Sequence, residues 1–213
     1  MQSKINYQLE TDRLLKALPT DRVPVLFLHA CCAPCSSYVL EYLSQYFAIT
    51  LFFYNPNIAP EEEYLHRKAE LKRLVQTMPL SHPVTILDGD YAPERFYALA
   101  KGLEQEPERG ARCQKCIGHR LEESFRAAAM QTPAPDFVCT TLTISPHKDA
   151  VWINTRGAEL AQQYGIPWLY TDFKKKGGYQ RSIALSREYD LYRQNFCGCV
   201  YSRLEAERRE QQH

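Results

Sequence analysis

The sequence predicts an α/β fold: a parallel sheet of about five strands flanked by helices, followed by a small helical C-terminal region. Three observations carry this reading. Short apolar runs near residues 25–30, 49–54, 84–87, 137–142 and 168–172 alternate with stretches of helical periodicity, the pattern of strands joined by crossover helices. The first run, Val25-Leu26-Phe27-Leu28-His29-Ala30, reads as a buried strand and ends abruptly in Cys31-Cys32-Ala33-Pro34-Cys35. A chain of 213 residues, 45% of them hydrophobic, can bury one sizeable core. We therefore expect a single domain over 1–213, with its core at about 22–173 and a helical substrate-facing region at about 174–213.

Before the first strand, Leu9, Leu14, Leu15 and Leu18 fit an amphipathic packing helix over residues 7–18. After the first cysteines, Ser36 or Ser37 can cap a helix carrying Val39, Leu40 and Leu43. Asn55-Pro56-Asn57-Ile58 is a loop after the second strand. Glu61, Glu62 and Glu63 then sit where a helix N-terminus favours negative charge, opening a helix over 60–78. Asp88-Gly89-Asp90 turns the chain after the third strand, and residues 93–104 read as another helix. Cys113-Gln114-Lys115-Cys116 opens the helix of Leu121, Phe125 and Ala128, and a further helix from about 147 to 164 precedes the fifth strand.

The net charge is only +1, so bulk composition demands no polyanionic partner. Met1 to Glu10 is polar, without the apolar stretch of a secretory signal, and no apolar run is long enough for a bilayer. From these features we expect a cytoplasmic protein with no membrane partner. In a reducing compartment eight cysteines in short-spaced groups point to metal ligands or redox thiols rather than structural disulfides.

Ligands of open parallel sheets bind outside the carboxyl ends of the strands, which is where Cys31, Cys32 and Cys35 fall. Together with Cys113 and Cys116, the first two supply four thiolates, enough for a 4Fe-4S cluster or a tetrahedral zinc. Adjacent cysteines suit the different irons of a cluster better than convergence on one ion. Cys35 is a fifth thiol that can serve as an extra ligand, a resolving thiol or a packed small residue. Cys139, inside an apolar strand, reads as inert. Cys197 and Cys199 flank one glycine, a loop too short to staple a fold, which favours a reducible dithiol over a second ligand pair. Lys174, Lys175, Lys176 and Arg181, with Tyr179 among them, form a basic patch able to hold phosphates and stack a base, or else a solvated loop. His29 and Asp172 sit at strand ends as proton-donor candidates, and a histidine ending a buried strand reads equally as a hydrogen-bonded structural residue.

Four motifs in order, His29-Ala30-Cys31-Cys32-Ala33-Pro34-Cys35, Arg112-Cys113-Gln114-Lys115-Cys116 with Arg120-Leu121, Ser145-Pro146-His147-Lys148 and Phe196-Cys197-Gly198-Cys199-Val200-Tyr201-Ser202, closely resemble the QueH-type epoxyqueuosine reductases. The resemblance covers roughly residues 22–203. It implies a Rossmann-like fold of the nucleotide α-hydrolase (HUP) kind and reduction of epoxyqueuosine to queuosine at the tRNA wobble position, with a 4Fe-4S cluster and without cobalamin. It implies Cys31, Cys32, Cys113 and Cys116 as cluster ligands and Cys197 and Cys199 as a redox-active pair. Some relatives carry aspartate where this chain has Cys35, which makes Cys35 a candidate ligand to a second, mononuclear iron. The partners implied are tRNA carrying epoxyqueuosine and an external electron donor. The competing readings are a zinc-stabilised tRNA-binding module without catalysis and an ATP-dependent tRNA-modifying enzyme of the same fold. The second would need a glycine-rich phosphate loop where this chain has Cys-Cys-Ala-Pro-Cys.

Overall fold

In the computed structural model, which describes residues 5–211, four parallel strands form one sheet in the order β3-β2-β1-β4. The chain runs α1 (Tyr7–Lys16), β1 (Val25–Ala30), α2 (Ala33–Leu43), β2 (Ala48–Phe53), α3 (Glu61–Thr77), β3 (Val84–Asp88), α4 (Pro93–Ala100), α5 (Ala111–Ala129), β4 (Phe137–Thr140), α6 (Ala150–Tyr164), α7 (Gly178–Glu188) and α8 (Val200–Glu210). The outer ends of the expected domain, and the start of its polar N-terminus, lie outside the described residues. No helix among the described residues is long and apolar enough to cross a membrane.

Burial follows from alternation in β1. Leu26, Leu28 and Ala30 face one core with Val39, Leu40, Leu71 and Leu74 of α2 and α3. Phe27 faces the other, with Leu121, Phe125, Ile153 and Leu160 of α5 and α6. The central strand is thus covered on both faces, as a parallel sheet requires. Since β1 lies between β2 and β4, the chain leaves β1 toward one edge and later returns on its other side. This reversal opens a crevice at the carboxyl ends of β1 and β4.

The expected fifth strand shrinks to one parallel bridge, Val138 to Trp168. Val138 N–H donates to the Pro167 carbonyl and Leu169 N–H to that of Val138, after which the ladder stops. Asn154 of α6 stops it: its Oδ1 accepts the Thr171 N–H at 3.1 Å and its Nδ2 donates to the Thr171 carbonyl at 2.8 Å. β4 also ends early, because Thr140 Oγ1 accepts the Leu142 N–H and starts a 3₁₀ turn over Thr141–Ile144.

The start of α2 also departs from expectation. The helix begins at Ala33 with Pro34 in its first turn and Cys32 as N-cap, so Ser36 and Ser37 lie inside it. Their hydroxyls donate back to the Cys32 and Pro34 carbonyls. The consequence is functional: the positive end of α2 is formed around cysteines rather than serines.

Candidate active site

Seven of the eight cysteines converge on the crevice. Cys31, Cys32 and Cys35 place their sulfurs within 4.8 Å of one another, an arrangement that can hold a metal, and Cys31 and Cys32 are 3.8 Å apart. The trio lines a cleft of about 300 Å³ whose far wall includes Lys148, Phe196 and Cys197. Cys113, Cys116 and Cys199 line a narrow adjoining void that shares Cys197, Arg120 and Lys148 with the cleft. All eight thiols are free. Cys35 therefore belongs with Cys31 and Cys32, and Cys113 and Cys116 stand nearer to Cys197 and Cys199 than their sequence spacing suggests. Cys139 stays apart, fully buried in β4 with its sulfur on Thr140 and Thr171.

Local structure explains the convergence. Cys31 sits between two strand ends: its N–H donates to Thr141 Oγ1, whose hydroxyl in turn points at the Cys31 sulfur. Cys113 lies in the first turn of α5, where its sulfur accepts the Arg109 N–H at 3.3 Å. Cys199 is the N-cap of α8 and its sulfur accepts the Ser202 N–H. Three helix N-termini thus deliver thiols to one place, where the dipoles favour negative sulfur.

The turn between Cys197 and Cys199 is pinned on both sides. Arg67 Nη1 donates to the Cys197 carbonyl at 3.0 Å, and the Ala59 N–H donates to the Gly198 carbonyl at 3.0 Å. Gly198 has φ +131°, and a β-carbon there would come within 2.9 Å of Ile58 and 3.1 Å of Arg67. Only glycine fits such a turn without strain.

Three buried arginines and the half-buried Lys148 surround the thiols; three of these four cations fall within the sequence motifs, which assigned none of them a role. Arg120 of α5 is 2% exposed and lies within electrostatic reach of Cys116, Cys197, Cys31 and Cys113. It is fixed by Asn55, which also holds the Ala30 carbonyl at the end of β1. Its position was legible: Arg120 follows Cys116 by four residues, one helical turn on the same face. Arg67 stacks on Phe196, and Arg112 gathers three carbonyls of the 103–106 loop while stacking on Tyr201. Lys148 Nζ lies 3.0 Å from the Cys197 sulfur. No periodicity marked Arg67 or Lys148.

These charges sort the thiols. Hydrogen bonds from Cys31 and Cys35 hold the Cys32 thiol well below its ordinary value, while Cys35 is pushed well above it by the same contacts. Burial pushes Cys113 up, and Cys116 up to about 11. At Cys197 burial acts upward too, but Lys148 and Arg120 outweigh it and the thiol lies below its ordinary value. Lys148 therefore favours the thiolate at Cys197. Replacing Lys148 by Met is expected to move the alkylation of Cys197 by iodoacetamide to higher pH. Peptide mass mapping of the reduced protein across pH checks this; an unchanged Cys197 profile would show that Lys148 does not set it.

Neither proton-donor candidate survives. His29 Nε2–H donates to the Tyr54 carbonyl at 3.1 Å and Nδ1 accepts from Thr140 Oγ1 at 2.9 Å, so both nitrogens are used. Burial, with the Arg120 charge added, pushes the imidazole down to about 4. It is neutral and structural. Asp172 receives Lys174 Nζ and lines neither cavity. Lys176 and Arg181 are likewise engaged by carboxylates, Asp12 and Glu41 respectively, whereas Lys175 is exposed.

Fold and site together define a cysteine-rich α/β protein with a thiol centre, able to hold a metal, at the switch point of a parallel sheet. A family model described as epoxyqueuosine reductase QueH matches residues 26–205. The chain is 40% identical over 202 residues to an epoxyqueuosine reductase QueH of Streptococcus pyogenes serotype M1, covering 93% of this chain and 78% of that one. It is 42% identical over 180 residues to one of Haemophilus influenzae, covering 83% and 71%. With that of Thermotoga maritima it shares 33% over 186 residues, covering 84% and 91%. The chain belongs to the QueH family of epoxyqueuosine reductases.

Proposed function

We propose that this protein reduces epoxyqueuosine at the wobble position of tRNA to queuosine, drawing on thiols and an iron-sulfur centre held in the crevice. One observation carries the reading beyond family membership: Cys197 opens onto the same cleft as the Cys31, Cys32 and Cys35 sulfurs, so one thiol of the pair faces the ligand cluster across it. The 4Fe-4S cluster would be held by Cys31, Cys32, Cys113 and Cys116, and Cys35 would bind a second, mononuclear iron. An all-thiol donor set lining two adjoining cavities fits such a group, and the two ligand pairs start at helix N-termini that favour thiolate. When bound, the cluster supplies one-electron transfer and a Lewis-acidic iron.

The chain's own residues account for the balance of the reaction. Breaking both C–O bonds of the epoxide to leave an alkene and water takes two electrons and two protons. Cys197 and Cys199 give up both as their sulfurs join in a disulfide, and an external electron donor restores the dithiol. Lys148 Nζ holds a proton beside Cys197 at the cleft wall. Arg67 and Ala59 hold the turn so that Cys197 faces the cleft and Cys199 lies behind it. The scheme uses no cobalamin.

Protein reconstituted anaerobically with iron and sulfide should convert epoxyqueuosine in tRNA to queuosine in the presence of a chemical reductant. Mass spectrometry of digested nucleosides would register the loss of one oxygen atom. A fully loaded protein that leaves the epoxide intact would overturn the reading.

A further inference from the structure

Any tRNA substrate is a polyanion, and its phosphates need unpaired positive charge on the surface around the cleft. The run from Lys174 to Arg181 offers little. Lys174 pairs with Asp172 at 2.6 Å, Lys176 with Asp12 at 2.5 Å, and Arg181 with Glu41 at 2.5 Å and Glu188 at 3.6 Å. Four positive charges there, Lys175 included, stand against four negative ones, so the run carries no net formal charge with its partners.

The cleft mouth differs. Arg109, Arg193, Arg208 and Arg209 are all exposed, and among the described residues none makes an ion pair with a carboxylate. Their side-chain contacts are with no carboxylate: Arg193 with Ser186 Oγ, Arg209 with the Glu205 carbonyl, Arg109 with His147 Nδ1 at 2.8 Å. Arg193 and Arg209 line the thiol cleft itself. Arg109, Arg208 and Arg209 line an open groove of about 430 Å³, and Glu108, His147 and Arg209 border both cavities, making them continuous. The acids in that groove are already matched from inside: Glu108 lies 3.9 Å from Lys148, and Glu205 lies 3.4 Å from Arg112. Four exposed positive charges are therefore left over.

Arg109 also adopts φ +79°, which non-glycine residues seldom do, while its N–H is bonded to the Cys113 sulfur. One residue thus ties the rim to the Cys113–Cys116 turn. The cleft volume suits one extruded base rather than a helix, and Tyr179 and Phe196 in its walls supply faces to stack on.

We propose that Arg109, Arg193, Arg208 and Arg209 form the rim that grips the tRNA backbone around the wobble nucleotide, in place of the Lys174–Arg181 run. The proposal rests on the tRNA-reductase reading above and deepens it.

The test is binding of epoxyqueuosine-containing tRNA by filter retention across potassium chloride concentrations. R208Q/R209Q and R109Q/R193Q should each flatten the slope of log K against log salt by about 1.4, and weaken binding about tenfold near 0.15 M salt. Lysine at the same four positions keeps the charge and should retain the slope, which separates lost charge from lost folding. K174Q/K176Q/R181Q should bind as wild type does. Rim variants with wild-type affinity and slope, or a loss that appears in the K174Q/K176Q/R181Q variant instead, would overturn the rim. A wild type that binds no tRNA at all would sink the substrate reading along with it.

Discussion

Serine at Cys31, Cys32, Cys113 or Cys116 is expected to strip most of the iron and acid-labile sulfide from the anaerobically purified protein. A serine hydroxyl has the size of the thiol but is a much poorer ligand for iron, and a cluster that loses one of four anchors is left open to solvent. Each position has its own structural warrant. Cys31 is clamped between the ends of β1 and β4 by Thr141, Cys32 caps α2, and Cys113 and Cys116 lie in the first turns of α5. Cys113 and Cys116 are held protonated by burial in the metal-free protein, so loading should release protons and tighten as pH rises. Cys35→Ser separates two arrangements that share the crevice. With the four-ligand set it keeps its sulfide and loses at most the extra iron. Should Cys35→Ser empty the site while serine at Cys113 and Cys116 leaves it full, the metal sits on the compact Cys31, Cys32 and Cys35 trio, and the four-ligand assignment is wrong.

What the sequence disclosed, and what it withheld, divides along the range of the interactions. The first strand was legible because its burial is written in consecutive apolar residues, and the thiol cluster because its cysteines are close in sequence and end a strand. The loss of the fifth strand was not, since one side chain, Asn154 on a helix, takes both backbone groups of Thr171, and a periodicity count treats that run as any other apolar segment. The ion pairs of the lysine run were hidden for a related reason. Its partners Asp12 and Glu41 come from α1 and α2, distant in sequence, and only the fold brings them alongside. Buried arginines defeat composition rules, which place them on the surface. Arg67, Arg112 and Arg120 are each 2% exposed because carboxylates, carbonyls, an amide oxygen and aromatic faces replace most of the water they lose, leaving Arg67 Nη2 and Arg112 Nε without a hydrogen-bond partner.

Replacing either Cys197 or Cys199 by serine is expected to cut multiple turnover by at least about three orders of magnitude, the scale on which loss of an essential catalytic group registers. Iron content and tRNA binding should stay nearly intact. On the proposed scheme the two thiols have separate duties, so that losing either one has the same effect. Cys197 faces the cleft beside Lys148, and Cys199 sits behind it as the N-cap of α8, touching Ser202 and packing with Cys116 and Phe96. Gly198, at φ +131° between them, lets the chain turn tightly enough for the sulfurs to meet. Closing the pair into a disulfide would remove the sulfur partner of the Lys148 ammonium, which ties oxidation of the dithiol to the charge balance of the cleft wall. With one thiol gone, no disulfide can form within the pair, and outside the proposed metal ligands the two electrons and two protons it would yield have no other cysteine source, because Cys139 is sealed in β4. Thiol labelling by mass, on enzyme quenched before and after a single turnover with epoxyqueuosine-containing tRNA, tests the pair directly. Two free thiols should be present before and one disulfide after. If both thiols stay free through turnover, or if the serine variants shed their iron, the pair is no relay: it is a set of ligands or a structural turn, and the reducing equivalents enter by another route.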